Sequence, residues 1–130
     1  MRILVSAVTA KPHGGSESHL VGLLQALEGP DRENEYLLCV NRTMKIISSW
    51  PRLRVLSVPV QTPVRRLWWD LVRLPVQARR CQADLLVALL SFGSPRPPCP
   101  QIVFARNPLF CDYYELGLGA AARLALKVLV

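Results

Sequence analysis

Apolar positions along the chain follow two alternating rhythms. Short, almost uninterrupted apolar or β-branched runs occur at Arg2–Val8 (RILVSAV), Glu35–Val40 (EYLLCV), Leu53–Val58 (LRVLSV), Asp84–Leu89 (DLLVAL) and Gln101–Ala105 (QIVFA). Continuous apolarity of this kind fits strands buried on both faces, as in a parallel sheet. Between the first two runs, Leu20, Leu23, Leu24 and Leu27 recur at i, i+3, i+4 and i+7, which predicts an amphipathic helix. Ser16 is expected to cap its start, and Gly29 with Pro30 to stop it. A second helix is predicted over Val64–Arg80, with Leu67, Leu71 and Leu74 on one face and a bend at Pro75, which has no backbone donor.

The segment SFGSPRPPCP between the last two strands is too short and too proline-rich for a helix and is expected to be a loop. The final stretch, GLGAAARLALKVLV, begins a helix and reaches Val130 with neither cap nor turn, as if cut within that helix. Strands alternating with helices predict an α/β class: a Rossmann-like, three-layer α/β/α domain over residues 1–130 with a mostly parallel sheet.

Composition agrees with a packed domain, since 51% of the 130 residues are hydrophobic and only 19% are charged. Pro, Gly, Arg and Asp interrupt every apolar run before it reaches the roughly 18 residues of a membrane-spanning helix. The N-terminus faintly resembles a signal peptide, yet lacks a small-residue cleavage site followed by a polar start, and is read as the first strand. Cys39, Cys81, Cys99 and Cys111 lie far apart, without a C-x-x-C pair or a histidine cluster. That spacing argues against zinc and against a disulfide framework, and leaves the cysteines as small apolar residues in a reducing cytoplasm. No metal site is expected.

The formal charge of +7 is unevenly spread. Between Arg42 and Arg80 the chain carries Arg42, Lys45, Arg52, Arg54, Arg65, Arg66, Arg73, Arg79 and Arg80 against one acid, Asp70. A basic face of this kind attracts phosphates on nucleic acid, lipid headgroups or nucleotide-linked substrates, or is simply a solvated surface.

The candidate chemistry lies in HGGSES, His13–Ser18, between the first strand and the first helix. In a doubly wound sheet, ligands collect beyond the carboxyl ends of the strands. There the N–H groups at a helix start favour an anion, and glycine allows it to approach the main chain. A tight turn that needs positive φ is the plainer alternative. The chain has neither G-x-G-x-x-G nor G-x-x-x-x-G-K-[ST], so a dinucleotide dehydrogenase and a P-loop hydrolase both lose ground.

GGSESHLVGLLQAL resembles the opening turn and helix of retaining, nucleotide-sugar-dependent glycosyltransferases of the GT-B fold. Gly14, Gly15, Ser16, Glu17 and His19 match that family's Gly-Gly-small-Glu-x-His pattern in order. The stretch from Arg66 to Phe110 is similar to the family's basic helix, Ala-Asp strand, proline-rich loop and cleft-facing strand. The resemblance covers most of the chain, although only the glycine turn and the order of elements are specific.

It implies transfer of a sugar from a nucleotide-sugar donor to an acceptor hydroxyl with retention, needing no cofactor or metal. Gly14 and Gly15 would hold the donor diphosphate and Ser16 would cap the helix beneath it, while His13, His19, Arg106 and Asn107 would line the cleft. The family usually has His-Asp where Arg106 and Asn107 stand, and an arginine there would pair with phosphate rather than reproduce a sugar contact. A second domain with paired glutamates, which these residues do not supply, would bind most of the donor, so the chain alone is expected to be inactive.

Trp68 and Trp69 sit in an arginine-flanked helix and are read either as core packing or as an interfacial pair whose Arg65, Arg66 and Arg73 meet anionic lipid. The family's frequent lipid-linked acceptors imply a cytoplasmic protein with peripheral contact at the inner membrane face. Nucleic acid is not expected as a partner, because no recognition helix or strand-borne stacking platform is evident. A non-catalytic Rossmann-like binding module or remnant domain, with a basic face for an anionic membrane or nucleic acid, is the competing class.

Overall fold

The structure, a computed structural model, describes residues 1–46, 48–89 and 93–104. Their order is β1 (Arg2–Ala7), α1 (Gly15–Glu28), β2 (Glu35–Asn41), β3 (Leu53–Val58), α2 (Pro63–Trp68), a π-helical turn (Trp69–Arg73), α3 (Leu74–Arg80), β4 (Leu85–Leu89) and β5 (Gln101–Phe104). The five strands form one sheet in the order β3-β2-β1-β4-β5, and every pairing is parallel. This is the expected Rossmann-like α/β arrangement. The predicted final helix, Ala105 at the end of the fifth strand, Arg106, Asn107 and Cys111 all lie outside the described residues.

Strand alternation sorts the core into two layers. Ile3, Val5 and Ala7 of β1 join Leu38 and Val40 of β2 beneath Leu20 and Leu24 of α1. Leu4, Cys39 and Leu86 face the other way, against Trp69, Leu74 and Ala78. Helices therefore cover both faces of the sheet, which is why β1 is apolar at nearly every position. Burying each of these leucines contributes about 1.5–3 kcal/mol.

The helical run between β3 and β4 departs from the expected face. Leu74 is buried, but Leu71 is 36% exposed, and the inward positions are Trp69, Asp70, Leu74, Pro75 and Ala78. The cause is the π turn just before Pro75, where the Leu74 N–H reaches back to the Trp69 carbonyl. Proline removes a donor from the ladder, and the wider turn absorbs the loss. One extra residue per turn rotates the later side chains off a 3.6 period, so the bend expected at Pro75 is expressed as this change of winding.

Among the described part of the β4–β5 connection, residues 93–100 form the expected loop. Gly93 has φ +71, and a Cβ there would lie 2.5 Å from Gln101 Oε1. The Gln101 side chain accepts from Ser94 N–H at 2.7 Å and donates to the Ser94 carbonyl at 3.1 Å, tying the loop to the start of β5.

Candidate functional site

All strands are parallel, so all their carboxyl ends lie along one edge of the sheet. From β1 the chain winds outward through β2 to β3, then returns to the other side of β1 to lay down β4 and β5. The direction of winding thus reverses between β1 and β4, and the crevice beyond their carboxyl ends is the topological switch point where ligands collect in such sheets. The loop that leaves β1 there ends in the glycine pair.

Gly14 is the N-cap of α1 and Gly15 its first helical residue. The Gly14 carbonyl accepts from Glu17 N–H at 3.1 Å and Ser18 N–H at 3.3 Å, closing the first turn. Being in that turn, the N–H groups of Gly15 and Ser16 have no intrahelical acceptor. The expected cap does not form: Ser16 lies inside the helix, and its Oγ instead accepts from Lys11 N–H at 3.0 Å. Since Gly14 is already the cap, the hydroxyl is free to fold the loop back rather than satisfy a helix donor. Glu17 secures the other flank, its carboxylate accepting from the N–H of His13.

Positive φ is carried by His13, at +58, while both glycines of the pair have ordinary backbone conformations. Gly14 is extended at φ −131, and Gly15 is helical. A Cβ on Gly14 would meet nothing closer than 3.8 Å, and one on Gly15 nothing within 4 Å. The fold therefore requires neither glycine, and the turn that needs positive φ is made by its neighbour. His13, Gly14 and Gly15 are exposed, as is Lys11, which places a cation on the same loop. His19, also exposed, follows Gly15 by one helical turn, and side chains on a helix lean toward its N-terminus. It thus shares the face that the bare Gly15 leaves open.

The residues expected to face a membrane or anionic surface are divided. Arg65, Trp68 and Arg73 are exposed, with Trp68 at 57%. Trp69 is buried and its Nε1–H donates to Ser6 Oγ, so it belongs to the core and not to the surface. Arg66 is half-buried one turn before the buried Asp70; burial pushes its guanidinium down from the usual range, and the Asp70 charge opposes that shift. Trp69 is thus corrected out of the surface group, while Arg66 keeps part of its surface exposed. Val64 and Val72, exposed beside Trp68, were not singled out by sequence, and Leu71, expected on one face with Leu67 and Leu74, is exposed with them; the i, i+7 and i+8 spacing of the three was the available signal.

Cys39 is buried, Cys81 and Cys99 are half-buried, and all three are free thiols. Burial pushes the Cys39 thiol up to about 12, and the other two are raised for the same reason. Such thiols are poor nucleophiles near neutrality. Among the described residues, no group of three or more His, Cys, Asp or Glu side chains could hold a metal ion, and no helix is long and apolar enough to cross a membrane. No protein-family model, curated protein or solved structure matches the chain.

Proposed function

We propose that the chain is the Rossmann-like, acceptor-side half of a retaining glycosyltransferase, and that its β1–α1 turn holds the diphosphate of a nucleotide-sugar donor. The observation that carries this proposal is the glycine pair. Gly14 and Gly15 stand at a helix start beside the switch point, with no backbone angle and no neighbouring atom that demands glycine. What a missing Cβ still provides is close approach from outside, which an anion bound to the N–H groups of Gly15 and Ser16 would use.

In this role Ser16 and Glu17 are positioning residues that fix the loop through Lys11 and His13. Lys11 supplies a charge that draws phosphate toward the turn, and His19 lies on the face over which the donor would pass. Sugar transfer requires donor and acceptor to be held together, so the half-enzyme alone is expected to turn over little or nothing.

Calorimetric titration of UDP-glucose, GDP-mannose and UDP tests the assignment, with the 130-residue chain alone and with the chain extended to the natural stop of its reading frame. Binding of one donor that Gly15→Asp weakens by tenfold or more supports it. Unchanged donor affinity in that variant would remove the diphosphate from this turn.

A further inference from the structure

The outward side of the helical run from Pro63 to Arg80 carries an apolar ridge. Val64 is 70% exposed, Trp68 57%, and Leu71 and Val72 each 36%. A single exposed apolar side chain is ordinary, but these four, at i, i+4, i+7 and i+8, form a stripe on the side opposite Trp69 and Asp70. Beside the ridge, between the helical run and the free edge of β3, lies a groove of about 490 Å³. Its floor is apolar, from Leu56, Val58 and Val60, and Arg65, Arg73 and Arg80 line it with no acidic side chain among its walls.

We infer that this ridge and groove form a docking surface for an anionic phospholipid bilayer. Val64, Trp68, Leu71 and Val72 enter the headgroup boundary, and lipid phosphates take the guanidinium groups of Arg65, Arg73 and Arg80. The geometry is that of an interfacial helix lying in the membrane plane: apolar ridge, flanking arginines, and a tryptophan at the depth where indole rings settle. Charge selects this occupant over a second copy of the chain, because a symmetric pairing would face the three arginines of one copy with those of the other. Nucleic acid would engage the arginines and leave the apolar ridge in water. The inference is independent of the glycine turn and survives or fails without it.

The test is co-sedimentation of the 130-residue chain with vesicles of phosphatidylcholine alone or mixed with phosphatidylglycerol, at low and high salt. Trp68 quenching by bromine-labelled acyl chains is read in parallel. Trp50 and Trp69 are 6% and 5% exposed, but Trp69 also lines the groove, so the quenching assigned to Trp68 is the part that Trp68→Phe removes. Binding is expected only to the anionic vesicles and to weaken with salt. Arg65→Glu with Arg73→Glu should lower partitioning by about tenfold or more. Leu71→Glu should abolish insertion, and Trp68→Phe should remove the quenching while binding remains. Equal binding to neutral vesicles, binding indifferent to these substitutions, or an unquenched Trp68 overturns the proposal. So would self-association or nucleic-acid binding by a chain that ignores both kinds of vesicle.

Discussion

Ser6 and Trp69, separated by 63 residues, meet in the core, where the indole N–H donates to the serine hydroxyl at 3.1 Å and both side chains are buried. This bond fastens the π-helical turn to the central strand. Ser6→Ala leaves the indole N–H without that acceptor in a place water does not reach, at a cost of about 1–3 kcal/mol. Trp68→Ala, one residue away but on the outward face, should change stability by about 0.5 kcal/mol or less. Urea unfolding midpoints of the two variants check the contrast. Equal losses would mean that the two tryptophans are not sorted as described.

The glycine pair yields a second prediction, in which stability and binding move apart. Gly15 is helical with open space around its missing Cβ. Gly15→Ala should therefore stabilise the fold by about 0.4–1 kcal/mol, chiefly by restricting the unfolded chain. If a donor diphosphate lies against the turn, the same methyl group should weaken its binding. A destabilised Gly15→Ala would show instead that the fold itself demands glycine, and would remove the main support for the anion cradle.

The central strands were legible because they are buried on two faces, whereas the edge strands β3 and β5 keep exposed positions. RILVSA, EYLLCV and LLVAL are apolar at nearly every position, which a parallel sheet between helices demands and few other structures allow. The position of the candidate site was legible for a related reason, since a strand, a glycine turn and a helix fix where the turn must lie. Its internal wiring was not. Ser16 has the chemistry of a cap, yet which residue becomes the cap depends on where the backbone first turns helical, and that residue is Gly14. His13 takes the left-handed conformation beside two glycines better suited to it, since its N–H is held by Glu17. Likewise, a 3.6-residue period cannot foresee a π turn, and without it Trp68 and Trp69 cannot be assigned to opposite sides.

The last prediction concerns pH and rests on the loop between α1 and β2. The Asp31 carboxylate accepts from the Tyr36 hydroxyl and from Asn34 Nδ2 at 2.8 Å, and the backbone N–H groups of Glu33 and Asn34 also point to it. These bonds, the tyrosine's first, hold the Asp31 carboxyl well below the usual carboxylate range. Tyr36 is pushed up to about 12, by burial and then by the bond to Asp31.

A carboxyl depressed by folding stabilises the native state above its unfolded pKa, about 3.9, and loses that contribution as pH falls toward its folded value. A phenol raised by folding stabilises below its unfolded pKa, about 10, and loses its contribution as pH climbs toward the folded value. The pair thus supports a plateau bounded by an acid limb and an alkaline limb. Asp31→Asn should flatten the acid limb, narrowing its deficit against the wild type as pH drops below about 4. Tyr36→Phe should abolish this residue's part of the alkaline limb and soften the acid one. Unfolding midpoints measured from strongly acid to strongly alkaline pH decide the matter: an Asp31→Asn curve parallel to the wild type throughout the acid limb would show that these bonds do not set the carboxyl's titration.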